Sequence, residues 1–194
     1  MRKGIILIIV IVIFGGCSSL SPGRNMIKKN KIATEMSINV LPPSLGVGAK
    51  YGLSDKLNIN MNIVSPILSC NEAIVLESSL ILNMIEEKGA MPMLNSYFKV
   101  MTAYEFKKSR FGVPYAIMGI VPKYENDKWG RYAVFEAFFE LDNNKDEFDF
   151  GSNIKAGIEY KYNEKLSLNL EIGIINAGYQ GCEIPMLCIG ITKK

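Results

Sequence analysis

The chain has 194 residues, a length that fits one domain, with 48% hydrophobic and 21% charged residues and a formal net charge of +3. It contains no histidine, which removes the usual general base, the common zinc ligand and every Ser-His or Cys-His pair. No basic stripe, phosphate-cradling glycine loop, dinucleotide fingerprint or nucleophile elbow is present. The composition therefore points away from nucleic acid, from a cofactor or metal, and from an enzyme.

The amino end sets the address. Arg2 and Lys3 precede an unbroken apolar run over residues 5–14, which is followed by Gly15, Gly16 and Cys17. The run fits a secretory signal and is too short for a membrane-spanning helix, which needs roughly 20 residues. This segment resembles the bacterial lipoprotein signal, in which the chain is cut before the cysteine. The resemblance implies that Cys17 becomes the terminal residue and carries diacylglycerol and an amide-linked fatty acyl chain. It implies the lipoprotein processing and sorting machinery and outer-membrane lipid as partners. Ser18 stands where a retention aspartate would hold the protein at the inner membrane, so delivery to the outer membrane is expected. The chain then divides into a signal peptide (1–16), a lipid-anchored tether (17–32) and a β domain (33–194). The tether holds Pro22, Gly23, Lys28, Lys29 and Lys31 and reads as solvated chain beside the membrane surface.

From residue 33 onward the pattern is that of short strands. Residues 33–41 carry Met36, Ile38 and Val40 at alternate positions, and Pro42-Pro43 ends them. Residues 45–52 put Leu45, Val47, Ala49 and Tyr51 on one face and Gly46, Gly48 and Lys50 on the other. After a turn at 53–56, residues 57–64 alternate Leu57, Ile59, Met61 and Ile63 with Asn58, Asn60 and Asn62. A loop is expected at 65–72. Residues 73–85 are strongly apolar and read as a strand with a bulge, although a helix also fits them. Strands at 93–107 and 113–121 follow, then a turn at 122–130 and an aromatic-rich strand at 131–141. Residues 142–151 form a charged loop. Residues 153–162 place Ile154, Ala156, Ile158 and Tyr160 opposite Lys155, Gly157, Glu159 and Lys161. Residues 166–174 place Leu166, Leu168, Leu170 and Ile172 opposite Ser167, Asn169 and Glu171. A loop at 176–183 and a strand at 185–192 close the chain.

The stretch 48–63 and the stretch 157–172 share one design. In each, a Gly is followed three residues later by a Tyr (Gly48 and Tyr51; Gly157 and Tyr160). In each, an acid, a Lys and a Leu open the outgoing strand (Asp55, Lys56, Leu57; Glu164, Lys165, Leu166). A repeated hairpin points to one continuous antiparallel sheet. With short connections throughout, the expected fold is all-β: an antiparallel up-and-down barrel of about ten strands. The hairpins resemble those of bacterial outer-membrane β-barrel proteins. That resemblance implies apolar residues facing lipid and a polar row facing the lumen: Lys50, Asn58, Asn60, Asn62, Lys155, Glu159, Lys161, Asn169 and Glu171. These would form a lattice of ion pairs and amide bonds. A barrel so filled has a structural or passive surface role, or at most passes very small solutes. It also implies that the turns at 53–56 and 163–164 face the periplasm, and that the loops at 65–72, 142–151 and 176–183 face outward.

The same alternation also fits a water-soluble, lipocalin-like barrel tethered to the membrane, with apolar faces inward. Phe135, Phe138 and Phe139 would then line a pocket for a hydrophobic ligand. The discriminating fact is what the alternating apolar residues touch. Cys70, Cys182 and Cys188 allow one disulfide, and the spacing of the last two matches neither a redox nor a metal motif. Asp142, Asp146, Glu147 and Asp149 lack the ordered spacing of a calcium loop and read as solvated. Sequence leaves the oligomeric state open.

Overall fold

A computed structural model describes residues 20–41, 43–67, 73–112, 114–140, 150–177 and 182–194. Cys17, Cys70 and the acidic loop from Asp142 to Asp149 lie outside the described residues. The strands are β1 (Ile32–Leu41), β2 (Ser44–Gly52), β3 (Leu57–Pro66), β4 (Ala73–Ile85), β5 (Met93–Glu105), β6 (Arg110–Phe111), β7 (Tyr115–Glu125), β8 (Trp129–Glu140), β9 (Phe150–Asn163), β10 (Leu166–Ala177) and β11 (Cys182–Lys193). All pairings are antiparallel, in the order β4-β3-β2-β1-β11-β10-β9-β8-β7-β5, and β4 also pairs with β5. That last ladder closes the sheet into a ten-stranded up-and-down barrel. The two-residue β6 is a ribbon on the end of β5 and takes no part in closure. The first and last strands meet where β1 pairs with β11, from Thr34 against Lys193 to Leu41 against Leu187.

The apolar stretch at residues 73–85 is a strand, paired on both sides, with an irregularity in its ladder to β5 between Asn83 and Ile85. The turn expected at 122–130 is shorter. Strand β7 continues through Pro122 to Glu125, and its ladder to β8 breaks between Ile120 and Lys123. Proline has no N–H to donate, so the strand tolerates it at a gap in pairing. The turn that follows is closed by Asn126, whose Oδ1 accepts from the backbone N–H of Lys128 and Trp129 at 3.2 and 2.7 Å. Asn163 does the same for Lys165 and Leu166 at 2.9 and 2.8 Å. Asparagine favours such turns because its short side chain can bond to backbone nearby.

Facing follows the period of two. On β3, Asn58, Asn60, Asn62 and Val64 are at most 4% exposed, while Met61 and Ile63 are 65% and 51% exposed. Strands β1, β10 and β11 repeat the pattern, with Met36, Ile38, Leu168, Ile172, Ile189 and Ile191 outward. Aromatic side chains gather at both ends of this apolar wall. Tyr51, Tyr124, Trp129, Tyr160 and Tyr162 mark the end with the short turns, and Tyr104, Phe106, Phe111 and Phe139 mark the other. The outward apolar face removes the lipocalin-like alternative. Phe135 is on the outside, and Phe138 is turned inward away from Phe135 and Phe139, so the three form no common pocket.

Glycines in the inward rows let large inward side chains lie across the neighbouring strand. A Cβ on Gly119 would sit 2.2 Å from the Cζ of Tyr97, and one on Gly157 would sit 2.3 Å from that of Tyr132. Gly119→Val is therefore expected to destabilise the folded barrel by about 1–3 kcal/mol through overpacking. Denaturant titration in detergent measures it, and adding Tyr97→Ala recovers part of the loss.

Candidate functional site

The inside of the barrel is closed by the chain itself. Leu20, Ser21, Arg24, Asn25 and Ile27 are at most 4% exposed, and Pro22–Arg24 form a short 3-10 turn within the lumen. The segment enters at the short-turn end, where the would-be Cβ of Gly52 meets the carbonyls of Ile27 and Lys28. It runs inward until Leu20 rests on Met186 and Cys188, about half-way along β11. The structure thus differs from the solvated tether expected over 17–32. In its described part only residues from Lys28 onward are exposed.

The wall holds the segment through specific polar contacts. Glu171 accepts from the backbone N–H of Ser21 at 3.2 Å and from its hydroxyl at 3.0 Å. Lys50 donates to the carbonyls of Pro22 (2.8 Å) and Asn25 (3.0 Å), and Asn95 donates to that of Gly23 (2.7 Å). Asn25 donates to Glu159 at 3.0 Å and accepts from Lys123 at 2.6 Å. The Arg24 guanidinium lies 2.9 Å from Glu35, donates through Nε to Asn169 (3.4 Å), and donates to the hydroxyl of Thr192 (3.2 Å) and the carbonyl of Ser21 (2.8 Å).

Beyond the segment, ion pairs cross the wall: Lys123 with Glu159 (2.7 Å), Lys155 with Glu136 (3.0 Å) and Glu171 (3.9 Å), and Lys99 with Glu77 (3.5 Å). Glu136 also accepts from Tyr97 and from Asn153. Charges taken out of water need partners, because an unpaired buried ion is strongly destabilising. Between the rims, the buried wall charges among the described residues are Glu35, Glu77, Glu136, Glu159 and Glu171 against Lys50, Lys99, Lys123 and Lys155. The remaining cation comes from Arg24. Glu105 stands apart at the rim with Lys108 at 2.7 Å.

Of the polar row read from sequence, Lys50, Asn58, Asn60, Asn62, Lys155, Glu159, Asn169 and Glu171 are buried in the lumen. Lys161 lies at the mouth, 3.2 Å from Glu125. Lys50, Glu159, Asn169 and Glu171 converge on the segment. Asn58 and Asn60 do not reach it, and their amides have no protein partner among the described residues. Cys188 is a buried free thiol beneath Leu20. Glu35, Lys99, Lys123 and Glu136 were not in that row. Glu35 is legible in hindsight, opposite Met36 and Ile38, whereas Lys123 is hidden by the turn that Pro122 suggests. Arg24 and Asn25 carry no periodic signal. The lumen is also less uniformly polar than expected. Ile81, Tyr97, Ile117, Val121, Tyr132 and Val134 form an apolar patch, with Met26 of the segment packed on it.

No family model and no curated protein matches this chain. Among solved structures it is similar to a NanC porin, with a TM-score of 0.46, 9% identity and coverage of 84% of this chain and 100% of that one. It is similar to the N-terminal β-barrel domain of Pseudomonas aeruginosa OprF, with a TM-score of 0.42, 11% identity and coverage of 86% and 98%. A de novo designed transmembrane β-barrel gives a TM-score of 0.37 at 14% identity, covering 87% and 98%.

The ion pairs lead to a stability prediction. Lys123→Met leaves Glu159 and Glu125 without their shared cation and is expected to destabilise the barrel by about 3–5 kcal/mol. Adding Glu159→Gln recovers much of this, read as the denaturation midpoint of the detergent-solubilised protein.

Proposed function

We propose that this chain is a non-catalytic outer-membrane β-barrel with a structural or passive surface role, closed across its lumen by its own amino-terminal segment. The observation that carries the reading is the inversion of polarity. An apolar wall framed by aromatic residues surrounds a lumen of buried Glu, Lys and Asn. Water is a poor environment for such an exterior, whereas the hydrocarbon core of a membrane matches it. The short turns face the periplasm and the longer connections face the medium. With residues 20–27 seated the lumen is filled, so the narrow path for small solutes exists only when the segment leaves.

The reading includes acylation at Cys17. Three residue steps lead from Cys17 to Leu20, a reach of about 10 Å when fully extended. Leu20 sits half-way into the barrel. A lipid on Cys17 therefore reaches the periplasmic leaflet only when the segment is drawn out. Anchoring there and seating are alternatives on this reading.

Gel migration of the full-length protein from detergent-extracted membranes tests the barrel, with a faster band before boiling than after it. Ile172→Lys, at the middle of the apolar wall, is expected to cost about 2–4 kcal/mol in refolding into lipid vesicles, and Tyr162→Lys at the rim about 0–1 kcal/mol. Equal effects at the two positions would count against a membrane-embedded wall. Cys17→Ser is expected to abolish incorporation of labelled palmitate while the protein stays in the carbonate-washed membrane fraction. Its release into the soluble fraction would overturn the integral barrel.

A further inference from the structure

Arg24 occupies a receptor built by the wall. Glu35 of β1, Asn169 of β10 and Thr192 of β11 present a carboxylate, an amide oxygen and a hydroxyl to one planar cation, at 2.9, 3.4 and 3.2 Å. All three are at most 4% exposed. The partners fix one another. Asn169 donates through Nδ2 to the Thr192 hydroxyl at 3.1 Å, which aims its carbonyl oxygen at the Arg24 Nε. Glu35 has a second cation, Lys50, at 3.5 Å, but the Lys50 amine is already committed to the carbonyls of Pro22 and Asn25. A spread of acceptors around a flat donor fork suits a guanidinium, while an ammonium is a compact point charge that cannot reach all of them. The charge balance points the same way, because among the described residues the wall between the rims buries one more carboxylate than lysine.

We propose that Glu35, Asn169 and Thr192 form a guanidinium-binding site, which Arg24 fills in the closed barrel and which takes a guanidinium-bearing solute or side chain when Arg24 is absent. The closure is then a ligand of the lumen that happens to be covalently attached. The inference rests on the seated segment and is independent of acylation and of membrane placement, so it is tested in detergent.

The test is chemical rescue of Arg24→Ala in the full-length chain. The unfolding temperature, read as loss of the fast-migrating band, is compared in millimolar guanidinium chloride, methylammonium chloride and sodium chloride. These concentrations lie far below those at which guanidinium denatures. A cation that binds only the folded state raises its stability as the site fills. The expected result is a higher midpoint for R24A in guanidinium than in either other salt, with no such difference for wild type or for R24A/E35Q. If R24A does not fold in sodium chloride, the same comparison is read as refolding yield, which guanidinium restores. A midpoint or yield indifferent to guanidinium overturns the site. Equal rescue by methylammonium overturns its selectivity for guanidinium. Rescue that survives Glu35→Gln overturns the assignment of the carboxylate.

Discussion

The ladder between β4 and β5 is the constraint on which everything else depends. It joins the two free edges of the sheet and so satisfies the backbone all the way round. Closure also decides facing for every strand at once. Once one residue points into the lumen, the period of two places the rest, and a one-residue slip would turn Glu and Lys onto the apolar wall. The registers running through Glu35, Asn60 and Glu171 are therefore held by polarity as firmly as by hydrogen bonds.

Closing the sheet creates the second requirement. The inward residues lose water, and a lumen this narrow must be filled and its charges matched. The wall meets this in two ways. From β4 to β8, Ile81, Tyr97, Ile117, Val121 and Val134 pack as an ordinary core, with Gly119 giving Tyr97 room to lie flat. From β9 through β11 to β3, Glu, Lys and Asn side chains are left to pair, and Glu77, Lys99, Lys123 and Glu136 carry the ion pairing into β4, β5, β7 and β8. The amino-terminal segment runs between the halves and is itself mixed. Met26 and Gly23 face the apolar patch, whereas Arg24, Asn25 and the Ser21 hydroxyl face the polar half.

The strands and their facing were largely legible because they depend on local alternation. Asn58, Asn60 and Asn62 against Ile59, Met61 and Ile63 state the strand, its period and its two environments together. Whether the amide face or the aliphatic face turns inward is not local information: both barrel readings share the alternation, and the burial of the amides with the exposure of Met61 and Ile63 is what separates them. Strand ends were less legible where a breaker sits inside an element. Pro122 reads as a turn, yet it falls at a gap in the ladder and the strand runs on to Glu125. The segment was not legible at all. Ser21, Pro22, Gly23 and Arg24 have tether chemistry, and nothing in their order says that partners as distant as Glu171 and Thr192 await them.

That distance in sequence is what makes the segment more than a filler. Its contacts come from β1, β2, β5, β7, β9, β10 and β11, so one short stretch ties together side chains from most of the circumference. A cylinder of strands resists stretching along its hydrogen bonds but has no covalent brace across its interior. Residues 20–25 supply a brace, and they do so with groups the wall lacks: a guanidinium for Glu35, a backbone N–H for Glu171 and carbonyls for Lys50. The wall is in this sense built incomplete. The wall's own lysines stand farther off, Lys50 at 3.5 Å from Glu35 and Lys155 at 3.9 Å from Glu171, and the segment supplies the shorter contacts, 2.9 Å from Arg24 and 3.0 Å from the Ser21 hydroxyl.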